Sequence, residues 1–122
     1  MKVVTILGKI KKDKRFAVPI YKYDGKLNEI YSLKKERYVN MLPLLIDNFG
    51  VQNIIPIFTA DAKTIQMAVL KEEFQTEHIE IFNDKNLIND EKDFYEILRI
   101  INSATSSDDE YIIDLSHGFR HI

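Results

Sequence analysis

Residues 54–74 read IIPIFTADAKTIQMAVLKEEF. Ile54 to Thr59 is an apolar run of strand length. Asp61 follows as a helix N-cap, and Ile65, Val69, Leu70 and Phe74 then recur at three- and four-residue steps, the period of one helix face. A buried strand that passes directly into an amphipathic helix is the repeating unit of an open parallel α/β sheet. Pro56 is dissonant, because proline donates no ladder hydrogen bond and is poorly tolerated in a central strand.

The flanking sequence extends the alternation. Lys2 to Leu7 is a short buried strand closed by Gly8. Residues 17–23 and 26–31 flank Asp24-Gly25, the sequence of a tight type I′ turn, and predict a β-hairpin whose Pro19 strand lies at an edge. Tyr38, Met41, Leu42, Leu45, Ile46 and Phe49 keep a helical period up to Gly50, a left-handed C-terminal cap, with a kink expected at Pro43. Beyond residue 74, His78 to Phe82 (HIEIF) alternates like a strand. Asn89 or Asp90 is expected to cap a third helix with Phe94, Ile97, Leu98 and Ile101 inward. Ser103 to Asp109 is a polar loop, and Tyr111 to Leu115 is the last strand.

The order predicts one α/β domain over residues 1–122. Its fold is a Rossmann-like open sheet, mainly parallel through right-handed crossovers, with helices on both faces and a β-hairpin insertion after the first strand. Such sheets bind ligands outside the carboxyl ends of their strands. That rule selects Gly8-Lys9, Thr59-Ala60 and Ser116 to Arg120.

Composition bounds the function. The chain has 122 residues, 45% apolar and 30% charged, a globular balance rather than a disordered one. It contains no cysteine, which excludes disulfides, thiolate metal sites and a cysteine nucleophile, and makes the reducing cytoplasm the expected location. No apolar run has the length of a membrane span, and no membrane partner is expected. The formal charge of −2 excludes a strongly basic nucleic-acid coat, and direct DNA binding is not expected. The charge is polarised, with 11 Lys/Arg against 5 Asp/Glu in residues 1–60 and 6 against 14 in residues 61–122. Lys9, Lys11, Lys12, Lys14 and Arg15 concentrate the positive side, as a solvated loop or as a basic arm near a polyanion.

The last segment, Asp114-Leu115-Ser116-His117-Gly118-Phe119-Arg120, turns from apolar to polar abruptly. Ser116 offers a hydroxyl, His117 a donor or a charge that switches near neutral pH, Gly118 close approach to the main chain, and Arg120 a fork matched to phosphate oxygens. These residue types suit an anion cradle. The structural alternatives are Asp114 as an acceptor for neighbouring loop amides, His117 as an organiser of its loop and Phe119 as core. His117 and His121 have a zinc-like spacing, but Gly118 intervenes and no third ligand accompanies them, so no metal is expected. The four glycines form no dinucleotide or Walker loop and there is no G-x-S-x-G elbow. No cofactor is expected, and a typical α/β-hydrolase is disfavoured.

The same segment resembles the D-x-T-H-G-F-R signature of the CRISPR-associated DxTHG-motif family, with Ser116 in place of threonine. Thr5-Ile6-Leu7-Gly8 is similar to that family's first strand and glycine turn, Tyr21 to Lys26 to its hairpin, and Ile54 to Ala62 (IIPIFTADA) to its strand ending in threonine. The order agrees over essentially the whole chain. Lys9-Ile10-Lys11-Lys12 departs from the small residues that usually follow the family's glycine. The resemblance implies an N-terminal CARF (CRISPR-associated Rossmann fold) sensor domain for antiviral defence. It would act as a homodimer that binds a cyclic oligoadenylate across its two-fold axis and controls an attached effector. Gly8, Lys9, Thr59, Ser116, His117, Gly118 and Arg120 are then the expected ligand-binding residues, with Thr59 either donating to the ligand or capping its helix. The family continues past the signature into a further helix, strands and an effector. The resemblance therefore implies an incomplete sensor domain at Ile122, with the effector's ribonuclease activity outside this chain.

Three functions stand as expectations. The first is this binding module. The second is a metal-independent ring nuclease, in which Ser116, Lys9 and Arg120 would stabilise charge as a ribose 2′-hydroxyl attacks the adjacent phosphate. The third is an unrelated small α/β protein that binds a phosphorylated metabolite.

Overall fold

The computed structural model describes residues 1–8, 16–17, 37–38, 41–105 and 109–115. Its centre is a three-stranded parallel sheet in the order β4-β1-β5, formed by β1 (Lys2–Ile6), β4 (Ile54–Ile57) and β5 (Tyr111–Asp114). The first strand of the chain is therefore the middle one. Its register pairs Ile6 with Ile57 on one side and Thr5 with Asp114 on the other. A second, antiparallel pair joins β2 (Phe16–Ala17) to β3 (Arg37–Tyr38). The hairpin expected around Asp24-Gly25 lies outside the described residues.

Helices cover both faces of the sheet, as an α/β Rossmann-like fold requires. Val3, Leu7, Ile54 and Phe58 pack with α1 (Met41–Phe49) and α2 (Ala60–Phe74) in one core cluster. Val4, Ile6 and Ile57 pack with Ile88 and with Ile97 and Ile100 of α3 (Phe94–Ala104) in the other. Each strand of the middle layer thus contributes apolar side chains in both directions, which is why β1 and β4 read as continuous runs rather than alternations. Among the described residues, no helix is long and apolar enough to cross a membrane.

The prolines are placed where their missing donor does least harm. Pro43 is the third residue of α1, inside the first turn, where backbone N–H groups have no helical acceptor, so the expected kink has no cause there. Tyr38 belongs to β3 rather than to this helix; its hydroxyl donates to Asp47 Oδ2 at 3.0 Å. Gly50 closes α1 as expected, with φ of 84° and its N–H on the Ile46 carbonyl at 2.9 Å. Pro56 lies in β4, at the edge of the sheet. The Ile57 carbonyl accepts from Leu7 while the Phe58 amide donates to Asn86, so peptide groups in the parity of residues 56 and 58 face away from β1. Proline costs no β1–β4 bond in that position.

Three readings of the sequence are corrected. His78 to Phe82 is not a strand. His78 adopts a left-handed backbone with φ of 49°, and Ile79–Ile81 is a 3-10 turn that buries both Ile81 and Phe82 while exposing Ile79. Two adjacent inward residues suit a turn and not a pleated strand. The β4 edge is met further on, by a single parallel bridge from Phe58 to Leu87. The third helix is capped by Asp93, which accepts from the Glu96 amide at 3.1 Å, and not by Asn89 or Asp90. Ile97 and Ile100 are buried and Ile101 packs half-buried against the same cluster, whereas Phe94 and Leu98 are 38% and 43% exposed.

The last correction makes a stability prediction. Ile97, with no exposed surface, should cost about 2–5 kcal/mol on substitution by alanine. Leu98→Ala, one residue on, should cost about 1 kcal/mol or less. Urea denaturation of the two variants measures both, and equal losses would contradict the placement of α3.

Candidate functional site at the carboxyl edge of the sheet

Parallel strands end together, and here the three ends carry the residues that sequence reasoning singled out. Gly8 lies two residues past Ile6 on β1, and Thr59 lies two residues past Ile57 on β4. The Ile6–Ile57 register therefore sets them level. Asp114 ends β5 beside Thr5. The described residues thus bring Gly8, Thr59 and Asp114 to one edge. Lys9, Ser116, His117, Gly118 and Arg120 lie outside the described residues.

Thr59 is held by the backbone that follows it. It leaves β4 in an extended conformation, and its Oγ1 accepts from the Ala62 amide at 3.1 Å, the bond of a helix N-cap. Its carbonyl accepts the Lys63 amide at 2.9 Å, the first helical bond of α2. The capping role is therefore filled, and by Thr59 rather than Asp61, which sits exposed in the first turn.

Asp114 is a structural acceptor in this fold. The Thr5 hydroxyl donates to its Oδ2 at 2.8 Å, and the residue is only 8% exposed. A carboxylate this buried requires a donor, and the neighbouring strand supplies one. The bond ties the end of β5 to the penultimate residue of β1, two residues before Ser116.

Gln66, which sequence reasoning did not select, reaches the same edge from α2. It is fully buried, and its Nε2 donates to the Gly8 carbonyl at 3.0 Å. It lies between Ala62 and Leu70 at four-residue steps on the buried face of α2. A polar residue in the middle of an apolar helical stripe is the signal that would have identified it.

The displaced ionisations belong to pairs on the surface. A hydrogen bond from Arg99 holds the Glu96 carboxyl below its ordinary range and raises Arg99 in turn. The Glu80 carboxyl is lowered by its own backbone N–H and then by His78. Among the described residues, no cluster of three or more His, Asp or Glu side chains is arranged to hold a metal. A separate cavity of about 550 Å³ lies beside Ile55 in the amino half of β4, with Asn83, Lys85, Asn86, Arg99 and Ser103 on its walls.

No protein-family model, curated protein or solved structure matches the chain.

Two substitutions test the edge as a built structure. Thr5→Val leaves the buried Asp114 carboxylate without this donor and should lower stability by about 1–3 kcal/mol in urea denaturation. Thr59→Ala should cost about 1 kcal/mol through the lost cap. No change in either would remove the corresponding bond from the account.

Proposed function

We propose that the chain is the sensor module of a type III CRISPR antiviral system. In this reading it binds a cyclic oligoadenylate at the carboxyl edge of its sheet, as a homodimer, to control an attached effector. The observation that carries the reading is the convergence of Gly8, Thr59 and Asp114 on one edge, since Asp114 opens the segment that resembles the DxTHG signature. An open parallel sheet takes its ligands at that edge.

The chemistry supports it further. A cyclic oligoadenylate is a ring of phosphates with adenines outside. Its charge favours main-chain amides near glycine and a guanidinium, the groups that Gly8, Gly118 and Arg120 supply in the sequence. A ring with an even number of adenylates has a two-fold axis, which an isologous dimer matches. Lys9, Ser116 and His117 complete the proposed ligand-binding set, and Thr59 contributes by fixing the start of α2.

Binding of cyclic oligoadenylates with three, four and six adenylates, each radiolabelled and with chelator present, tests the reading. At least one ring should bind without turnover, and Arg120→Ala should weaken that binding about tenfold or more while leaving the fold intact, as expected for loss of a charge-assisted hydrogen bond. A linear product ending in a 2′,3′-cyclic phosphate would replace the sensor by a ring nuclease. No binding to any ring would favour a different phosphorylated ligand.

A further inference from the structure

Among the described residues, the outer edge of β4 is paired only at its carboxyl end. There the Phe58 amide donates to the Asn86 carbonyl at 3.2 Å, and the Phe58 carbonyl accepts from Ile88 at 2.8 Å. Upstream an added strand would find no donor, because Pro56 has no N–H and the Ile54 N–H is spent on the Val51 carbonyl. A trough therefore stays open along this edge, between the Asp84–Asn86 turn and α3. Its larger part is the cavity of about 550 Å³ beside Ile55. A smaller part of about 320 Å³, which carries Gln52 and Glu80, shares Ile55, Asn83 and Asn86 with it.

The walls of the larger part carry donors that the fold does not use. Asn83 Oδ1 accepts the Lys85 backbone amide at 3.0 Å, which leaves the Asn83 side-chain N–H groups without a partner among the described residues. The side chains of Lys85, Asn86 and Ser103 likewise make no hydrogen bond or ion pair among the described residues. Arg99 donates to Glu96 through Nε and Nη2 and keeps Nη1 unengaged. Residues 61–122 hold 14 Asp/Glu against 6 Lys/Arg, yet two of those six cations line this cavity and no carboxylate does. Ile55, Ile100 and Ala104 supply an apolar side. Two cations, neutral donors and an apolar surface together suit an anion carried on an apolar or planar body. We propose that the cavity beside Ile55 is a second binding site, for a single nucleoside monophosphate, with the phosphate at Lys85 and Arg99 and the base against Ile55 and Ala104. A volume of about 550 Å³ suits one nucleotide rather than a ring of several. The walls are fixed in advance, since two bonds to Phe58 pin the turn to β4 and Glu96 holds Arg99. The site lies away from the carboxyl edge and does not depend on the sensor reading.

Amide NMR of the full chain, titrated with the 5′-monophosphates of adenosine, cytidine, guanosine and uridine, tests this. At least one should saturate and shift residues 83–86 and 99–104 while leaving Gly8, Thr59 and Asp114 unmoved. The matching nucleoside and inorganic phosphate, each carrying half of the recognition, should bind about tenfold more weakly or worse. Lys85→Gln and Arg99→Gln alter exposed side chains, so each should keep a dispersed spectrum and bind the nucleotide about tenfold more weakly. No saturable shift with any nucleotide overturns the site. So do shifts at the three strand ends instead, or unchanged affinity in both variants. Inorganic phosphate that binds as tightly as the nucleotides overturns the ligand class.

Discussion

Thr5 and Asp114 are 109 positions apart in the chain and 2.8 Å apart in space. Their bond joins the first strand to the last in a buried layer, where an unpaired carboxylate would be costly. Satisfying it requires β5 beside β1 in one register, with Thr5 and Asp114 as partners on the same face. A one-residue slip of β5 would turn Asp114 to the opposite face and strip it of the Thr5 hydroxyl. The apolar core supplies most of the driving force, but it is non-directional. The hydroxyl–carboxylate pair selects one alignment from those the core would accept.

Two buried polar bonds then define the carboxyl edge. Thr5 to Asp114 fixes the end of β5 against β1, and Gln66 to the Gly8 carbonyl fixes the end of β1 against α2. The Thr59 cap fixes the end of β4 to the same helix. All three strand ends are held by side chains that are themselves held, the arrangement by which a fold presents a rigid rim for recognition. Asp114, the acceptor of the first bond, lies two residues before Ser116 in the chain.

Much of this was legible in the sequence because β1 and β4 are apolar on both faces, and β5 shares their composition although Ile113 is exposed. Val3-Val4, Ile54-Ile55 and Ile112-Ile113 read as continuous β-branched runs, and Gly8, Gly50 and the polar loop before Tyr111 mark their limits. The misreadings arose where several residues of one chemical type compete. Thr59 and Asp61 are both capping residues, and the one that still has extended backbone wins. Asn89, Asp90 and Asp93 are likewise equivalent in sequence; Asp90 is used in a turn, accepting the Lys92 amide, which leaves Asp93 to start α3. HIEIF alternates like a strand, yet the left-handed His78 breaks the pleat before it forms. Gln66 was hidden for the opposite reason. Its place between Ala62 and Leu70 marks it as buried, but its acceptor lies 58 residues earlier and no local pattern names it.

The central claim is that the ends of β1, β4 and β5 form one recognition edge, and a hydrogen–deuterium exchange footprint tests it most directly. With a saturating cyclic oligoadenylate, slowed exchange should cluster in residues 5–9, 58–63 and 114–120 and leave the cavity beside Ile55 unchanged. Protection confined to residues 83–86 and 99–104, with the three strand ends unaffected, would contradict it.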